Sequence, residues 1–129
     1  MSKESAVLRV FQTIKKFSDI TFVLAHSMYD EKYIYLLLDL EKENGRRLTN
    51  LYLEISANYD PTTLVRAWQD FGYDRVLFGT DNQNFLRSDT EIASYLAKVT
   101  SNERIKEMML TENPMKIFHR SNIQLCSKN

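Results

Sequence analysis

A chain of 129 residues, 43% hydrophobic and 26% charged, is the size of one domain and long enough to bury a core. Seventeen basic residues balance seventeen acidic ones, which argues against a nucleic-acid partner or an anionic membrane surface. Cys126 is the only cysteine, so an internal disulfide is excluded, and its place in a polar tail reads as an incidental thiol.

Met1 to Glu4 lacks the pattern of a secretory signal, and no apolar run approaches the ~20 residues that span a bilayer. A reducing cytoplasm is the expected compartment. Residues 1–120 read as one domain and residues 121–129 as a flexible tail.

Val7, Phe11, Ile14 and Phe17 recur at helical spacing over residues 4–17. Ser18 and Asp19 break that pattern, and Ile20 to Ala25 is a short apolar run ended by His26 and Ser27. Asp30 is placed to cap a helix running to about Asn44, with Ile34, Leu37, Leu38 and Glu41 marking its spacing and Gly45 stopping it. Arg46 to Asn50 reads as a polar connector. From Leu51 to Ser56 the chain alternates with period two, setting Leu51, Leu53 and Ile55 against Tyr52, Glu54 and Ser56.

Asp60 and Pro61 open a helix whose stripe is Leu64, Val65, Trp68 and Phe71, and Gly72 closes it in the left-handed conformation. Val76 to Phe78 is a continuous apolar run of the kind found in covered parallel strands, followed by Asp81. Residues 82–87 read as loop. Ser88 to Glu91 and Thr100 to Glu103 both fit capping boxes, each opening a further helix. The first carries Ile92, Leu96 and Val99 inward, and the second Ile105, Met108 and Met109. Asn113 and Pro114 punctuate, Met115 to Phe118 forms a last turn, and His119 belongs to the surface. Gly45, Gly72 and Gly79 read as isolated stops.

The order is helix, strand, helix, strand, helix, strand, helices, with strand spacings that suit right-handed βαβ crossovers. That makes the fold α/β with a parallel sheet of about three strands. In a parallel sheet the carboxyl ends share one edge, which places His26, Ser56 and Asp81 together. An imidazole and a carboxylate there suit binding of a divalent ion such as Zn²⁺, and Asp81 suits proton transfer. The same pair equally suits a hydrogen-bonded strand-end histidine and a capping aspartate, and spacing does not separate the readings. Ser56 lacks the glycine-flanked elbow of a nucleophile and reads as a turn residue. Glu54 reads as a structural residue pairing with Arg75 or a lysine, or as a partner behind the site.

Asp74 to Asp81, reading Asp-Arg-Val-Leu-Phe-Gly-Thr-Asp, closely resembles the last-strand motif of the amidohydrolase-related, metal-dependent hydrolases. Phe22 to Ser27 is similar to that family's sixth strand, which ends in a histidine, and Asn50 to Ser56 to its seventh. Glu112 to Phe118 is similar to its closing asparagine-containing turn. Thr80 stands where the family usually has serine, a glycine common after the sixth-strand histidine is absent, and Asn82 to Asn84 replaces an apolar segment.

The resemblance implies the carboxyl-terminal half of a (β/α)8 TIM barrel. It implies that His26 and Asp81 act as catalytic residues and metal ligands, with Zn²⁺ the first choice of metal and a small molecule as substrate. The implied reaction is hydrolysis of a C–N or C–O bond, or a related decarboxylation. The first-strand His-x-His pair and the fourth- and fifth-strand ligands have no counterpart in this sequence. The expected partner is therefore a complementing amino-terminal half-barrel or a second copy of the chain. Two alternatives remain open: a non-catalytic half-barrel that self-associates, and a complete small α/β domain of unrelated binding function.

Overall fold

The computed structural model describes residues 2–81 and 85–119. The expected tail, with Cys126, and residues 82–84 of the expected loop lie outside the described residues.

Helix α1, Lys3–Lys16, is capped by Ser2, whose Oγ accepts the Ser5 N–H at 3.1 Å, and it buries Val7, Phe11 and Ile14. Phe17, expected on the same stripe, is instead the C-terminal cap and is 42% exposed. Its backbone (φ −103°, ψ 63°) leaves the helix one residue early and turns the ring out of register. Strand β1, Phe22–Leu24, follows, and then helix α2, Glu31–Glu43, capped by Asp30 as the sequence predicts.

Strand β2, Leu51–Glu54, is central. It pairs in parallel with β1 on one side and with β3, Val76–Leu77, on the other. Helix α3, Val65–Phe71, crosses between β2 and β3 after a 3₁₀ turn capped by Asp60. Helix α4, Asp89–Val99, follows β3.

The register sets Phe22 beside Leu51, Leu24 beside Leu53, and Leu53 beside Val76. These side chains share one face of the sheet and join Val7, Phe11, Ile34, Leu37, Trp68 and Leu96 in a single apolar core. Val23, Tyr52 and Leu77 point to the opposite face and do not belong to that core. Tyr52 and Ser56 are nevertheless buried, so the second face of β2 is not the wet face that period-two alternation suggests. Val23, on the edge strand, is 44% exposed.

Four buried polar residues hold the end of the sheet from which the strands start. Glu41 receives Arg75 through two bonds of 2.7 and 3.1 Å and also accepts the Leu48 N–H at 2.6 Å. Arg75 donates further to the carbonyls of Leu48 and Phe71 and lies 3.8 Å from the Phe71 ring centre. Arg75 is therefore occupied by Glu41 and is not the partner of Glu54. Asn50, expected in a wet connector, is buried and gives its amide to the carbonyls of Ile14, Phe17 and Ile20.

Asn113 does the same for β3, donating to the carbonyls of Tyr73 at 2.7 Å and Val76 at 2.8 Å. It does so from inside a helix. Residues 103–119 are continuously helical, opening as α5, Glu103–Glu107, and passing through a π turn, Met108–Glu112. The expected break at Asn113 and Pro114 does not occur. The wider turn, in which the Asn113 N–H bonds to the Met108 carbonyl, accommodates a proline that cannot donate. The cap of this helix is Asn102 rather than Thr100, since Asn102 Oδ1 accepts the N–H groups of Arg104 and Ile105.

Gly45 sits at φ 60° as its role of helix stop requires. Gly72 has a positive φ of 108°, but its ψ of 116° places it outside the left-handed helical well.

Two outcomes follow in urea unfolding. Glu41→Leu strands the Arg75 guanidinium in the core and lowers stability by about 3–5 kcal/mol, whereas Glu41→Leu with Arg75→Leu recovers most of the loss. Arg47 hydrogen-bonds to Asp74 and holds its carboxyl below the usual range. That contribution is complete above the ordinary carboxylate pKa and is lost as pH falls through the lowered one. Asp74→Asn should cost roughly 0.5–1 kcal/mol at neutral pH and nothing at about pH 2.

Candidate functional site

The carboxyl edge of the sheet is where the backbone departs furthest from ordinary conformations. Six non-glycine residues have positive φ among those described: His26 (59°), Ser27 (50°), Met28 (62°), Tyr29 (61°), Ala57 (60°) and Asp81 (54°). All six lie in the segments that leave the carboxyl ends of β1, β2 and β3. After β1 they form a single left-handed turn, with ψ of 16°, 29° and 14° at His26, Ser27 and Met28. Each L-residue in that region costs about 1–2 kcal/mol, so a run of four persists only where its surroundings fix it.

Those surroundings come largely from β2 and the residues just after it. The Glu54 carboxylate accepts the His26 N–H at 3.2 Å, the Ser56 N–H at 2.7 Å and the Ser56 hydroxyl at 2.9 Å. Its backbone carbonyl accepts the Ser27 hydroxyl at 3.1 Å, and Ser27 Oγ in turn accepts the indole N–H of buried Trp68 at 3.1 Å. The Asn58 amide reaches the carbonyls of His26, Ile55 and Ser56, tying the β1 turn to the β2 turn. Tyr95, from α4, donates its hydroxyl to the Asn58 carbonyl at 2.7 Å, and burial pushes its phenol well above the usual range.

His26 is brought to the edge as its place at the end of an apolar run implies. Its Nδ1 lies 3.1 Å from both the carbonyl oxygen and the hydroxyl of Ser56, and its ring stacks on Tyr29 at 4.9 Å between centroids. Ser56 is buried with its hydroxyl between Glu54 and His26, so it links the two instead of presenting a nucleophile to solvent. Asp81 lies in the segment leaving β3, half-buried, and no hydrogen bond or ion pair joins it to His26 among the described residues. No group of three or more His, Cys, Asp or Glu side chains gathers there to hold a metal, again among the described residues. An imidazole and a carboxylate are suitable donors for Zn²⁺, but a third protein ligand has to come from outside this set.

Sequence reasoning ranked Glu54 as a side residue and Gly79 as a stop, and both are central. Gly79 has no positive φ. A Cβ there would overlap Glu54 Oε1, so the missing side chain makes room for the carboxylate. The available signal was a carboxylate closing the alternating strand, with a hydroxyl residue two positions on and a glycine at the end of the next strand. The left-handed turn left no such signal, since none of its residues is glycine. Between the turns after β2 and β3 a groove of about 390 Å³ is lined by Tyr59, Phe85, Leu86, Tyr95 and Lys98. Phe85 meets Tyr59 and Tyr95 edge-on.

No protein-family model, curated protein or solved structure matches the chain. No helix among the described residues is long and apolar enough to cross a membrane. Any assignment of activity rests on the residues and geometry of this edge.

Ala57→Gly isolates the backbone cost, because Ala57 has only a methyl to lose. Relief of about 1–2 kcal/mol, less about 0.4–1 kcal/mol from the freer unfolded chain, predicts a net gain of roughly 0.5–1 kcal/mol in denaturant midpoint analysis. A loss of stability would contradict a strained residue at this position.

Proposed function

We propose that this chain is the carboxyl-terminal half of an amidohydrolase-type (β/α)8 barrel and contributes His26 and Asp81 to a metal-dependent hydrolase site. The observation that carries the reading is the shared edge. Three parallel strands in the order β1-β2-β3 end in His26, Glu54 and Asp81-bearing segments, and the backbone strain among the described residues collects there. Core helices pack on one face of the sheet; on the other, Val23 is open while Tyr52 and Leu77 are buried, and in this reading the missing half would cover the part left open.

In this reading the substrate is a small molecule with a C–N or C–O bond to be cleaved. His26 and Asp81 would hold Zn²⁺ together with donors from the missing half. The ion would supply a Lewis acid that lowers the pKa of water towards ~7. Asp81 accepts a proton from the attacking water and passes it to the leaving nitrogen or oxygen as the bond breaks. His26 would reach the ion through Nε2, the ring nitrogen that the Ser56 contacts leave open.

A second reading has one observation in its favour. Val23 and Ile20 are both close to half exposed beside the edge strand β1, and an open edge favours pairing. The chain would then be a non-catalytic half-barrel that associates with itself.

Equilibrium dialysis against Zn²⁺ separates them. The hydrolase reading predicts about one ion bound per assembled site, with His26→Ala and Asp81→Ala each weakening it by more than the about ten- to a hundredfold that loss of an outer-shell partner costs. Self-association without metal uptake, unchanged by either substitution, favours the second reading.

A further inference from the structure

The contacts around Glu54 define a state of the His26 ring. A backbone carbonyl has no hydrogen to give, so the 3.1 Å contact between His26 Nδ1 and the Ser56 carbonyl requires that Nδ1 donate. The Ser56 hydroxyl directs its hydrogen to Glu54 Oε2 at 2.9 Å, which leaves its lone pairs facing the same Nδ1 at 3.1 Å. Both neighbours of Nδ1 are therefore acceptors, and the second of them is an acceptor because of Glu54.

In the neutral ring Nε2 is then left with its lone pair, and no hydrogen bond reaches it among the described residues. Glu54 also fixes where the ring begins, through the His26 N–H and the Ser27 hydroxyl of the left-handed turn. No Lys or Arg forms an ion pair with Glu54 among the described residues, and the imidazole, 4.0 Å away, is its nearest ionic partner.

We infer that Glu54, acting through Ser56, is a positioning residue that locks His26 in its Nδ1–H tautomer and presents Nε2 as the lone-pair donor of this edge. The inference rests on the reading of His26 as the functional imidazole of the site. Histidines that coordinate a metal or take up a proton commonly have their other nitrogen anchored in this way. Gly79 belongs to the same device, since a methyl there would displace the carboxylate.

The test reads the tautomer directly, in the metal-free full chain, from the ¹⁵N chemical shifts of the His26 ring. The wild-type ring should be protonated at Nδ1 with Nε2 bare. In Glu54→Gln the amide that replaces one carboxylate oxygen cannot accept, so the Ser56 hydroxyl turns towards the ring and competes for Nδ1. Loss of one neutral hydrogen bond should move the tautomer ratio about two- to tenfold towards Nε2–H.

Gly79→Ala should produce the same direction of shift by displacing the Glu54 carboxylate, with Glu54, His26 and the charge of the site all retained, and it decides the question if Glu54→Gln does not fold. A wild-type ring carrying its proton on Nε2 overturns the inference. So does a ratio unmoved in the variants that retain a native far-ultraviolet spectrum. A chain that shows the Nδ1–H form and assembles with itself but binds no Zn²⁺ counts against the proposed hydrolase site and leaves this inference standing. Zn²⁺ uptake with the wild-type ring protonated at Nε2 in the metal-free chain does the reverse.

Discussion

A carboxylate at the end of the central strand of a small parallel sheet cannot be left without donors, because its desolvation would outweigh most of what local packing contributes. In this protein the donors come from the two chain segments that most need holding. Glu54 receives the amide of His26, which begins the left-handed turn, and the amide and hydroxyl of Ser56, which precede strained Ala57. The hydrogen bonds between them thus offset both the desolvation of the carboxylate and the strain of the backbone. Loss of either side would release the other, and the shape of the edge depends on the pair.

The opposite end of the sheet is held by neutral amides and one buried ion pair. Glu41 with Arg75, Asn50 and Asn113 each gather several backbone groups that the short strands leave unpaired. Strands of three, four and two residues give few ladder bonds, so side chains take over that work. The result is a floor fixed by several buried polar groups, with Arg75 Nε and Asn113 Oδ1 left unpartnered, and an edge fixed by one carboxylate. That division suits a site: the scaffold beneath is held by buried polar groups, and the His26 ring above is aimed by a small number of identifiable contacts.

Much of the frame was legible in the sequence. Asp30, Asp60 and Ser88 stand where helices begin, and the apolar spacings name most of the buried residues of α1 to α4 while missing Ala67 and Tyr95. The order of elements yields the parallel three-stranded sheet. Local signals failed where a distant partner decides the outcome. Arg75 looked available to Glu54 until Glu41, far along the chain, is seen to occupy it. Pro114 looked like a helix end because propensity does not register a π turn that removes the need for its N–H. The left-handed turn was illegible because no glycine marks it, and the energy that sustains it lies in β2. His26 and Asp81 were placed on the correct edge by strand order alone, but the residue that governs His26 was not singled out.

The most direct test of this account is hydrogen exchange at the amides of His26 and Ser56, the two backbone groups that donate to Glu54. Hydrogen bonds to a charged acceptor are worth about 1.5–3 kcal/mol, so both amides should exchange at least about tenfold slower than those of exposed loops. Glu54→Gln should reduce that protection while leaving the amide of Leu53, in the centre of the sheet, unchanged. Exchange of the His26 and Ser56 amides at the rate of an open loop in the wild-type chain would contradict the claim that the carboxylate holds the edge.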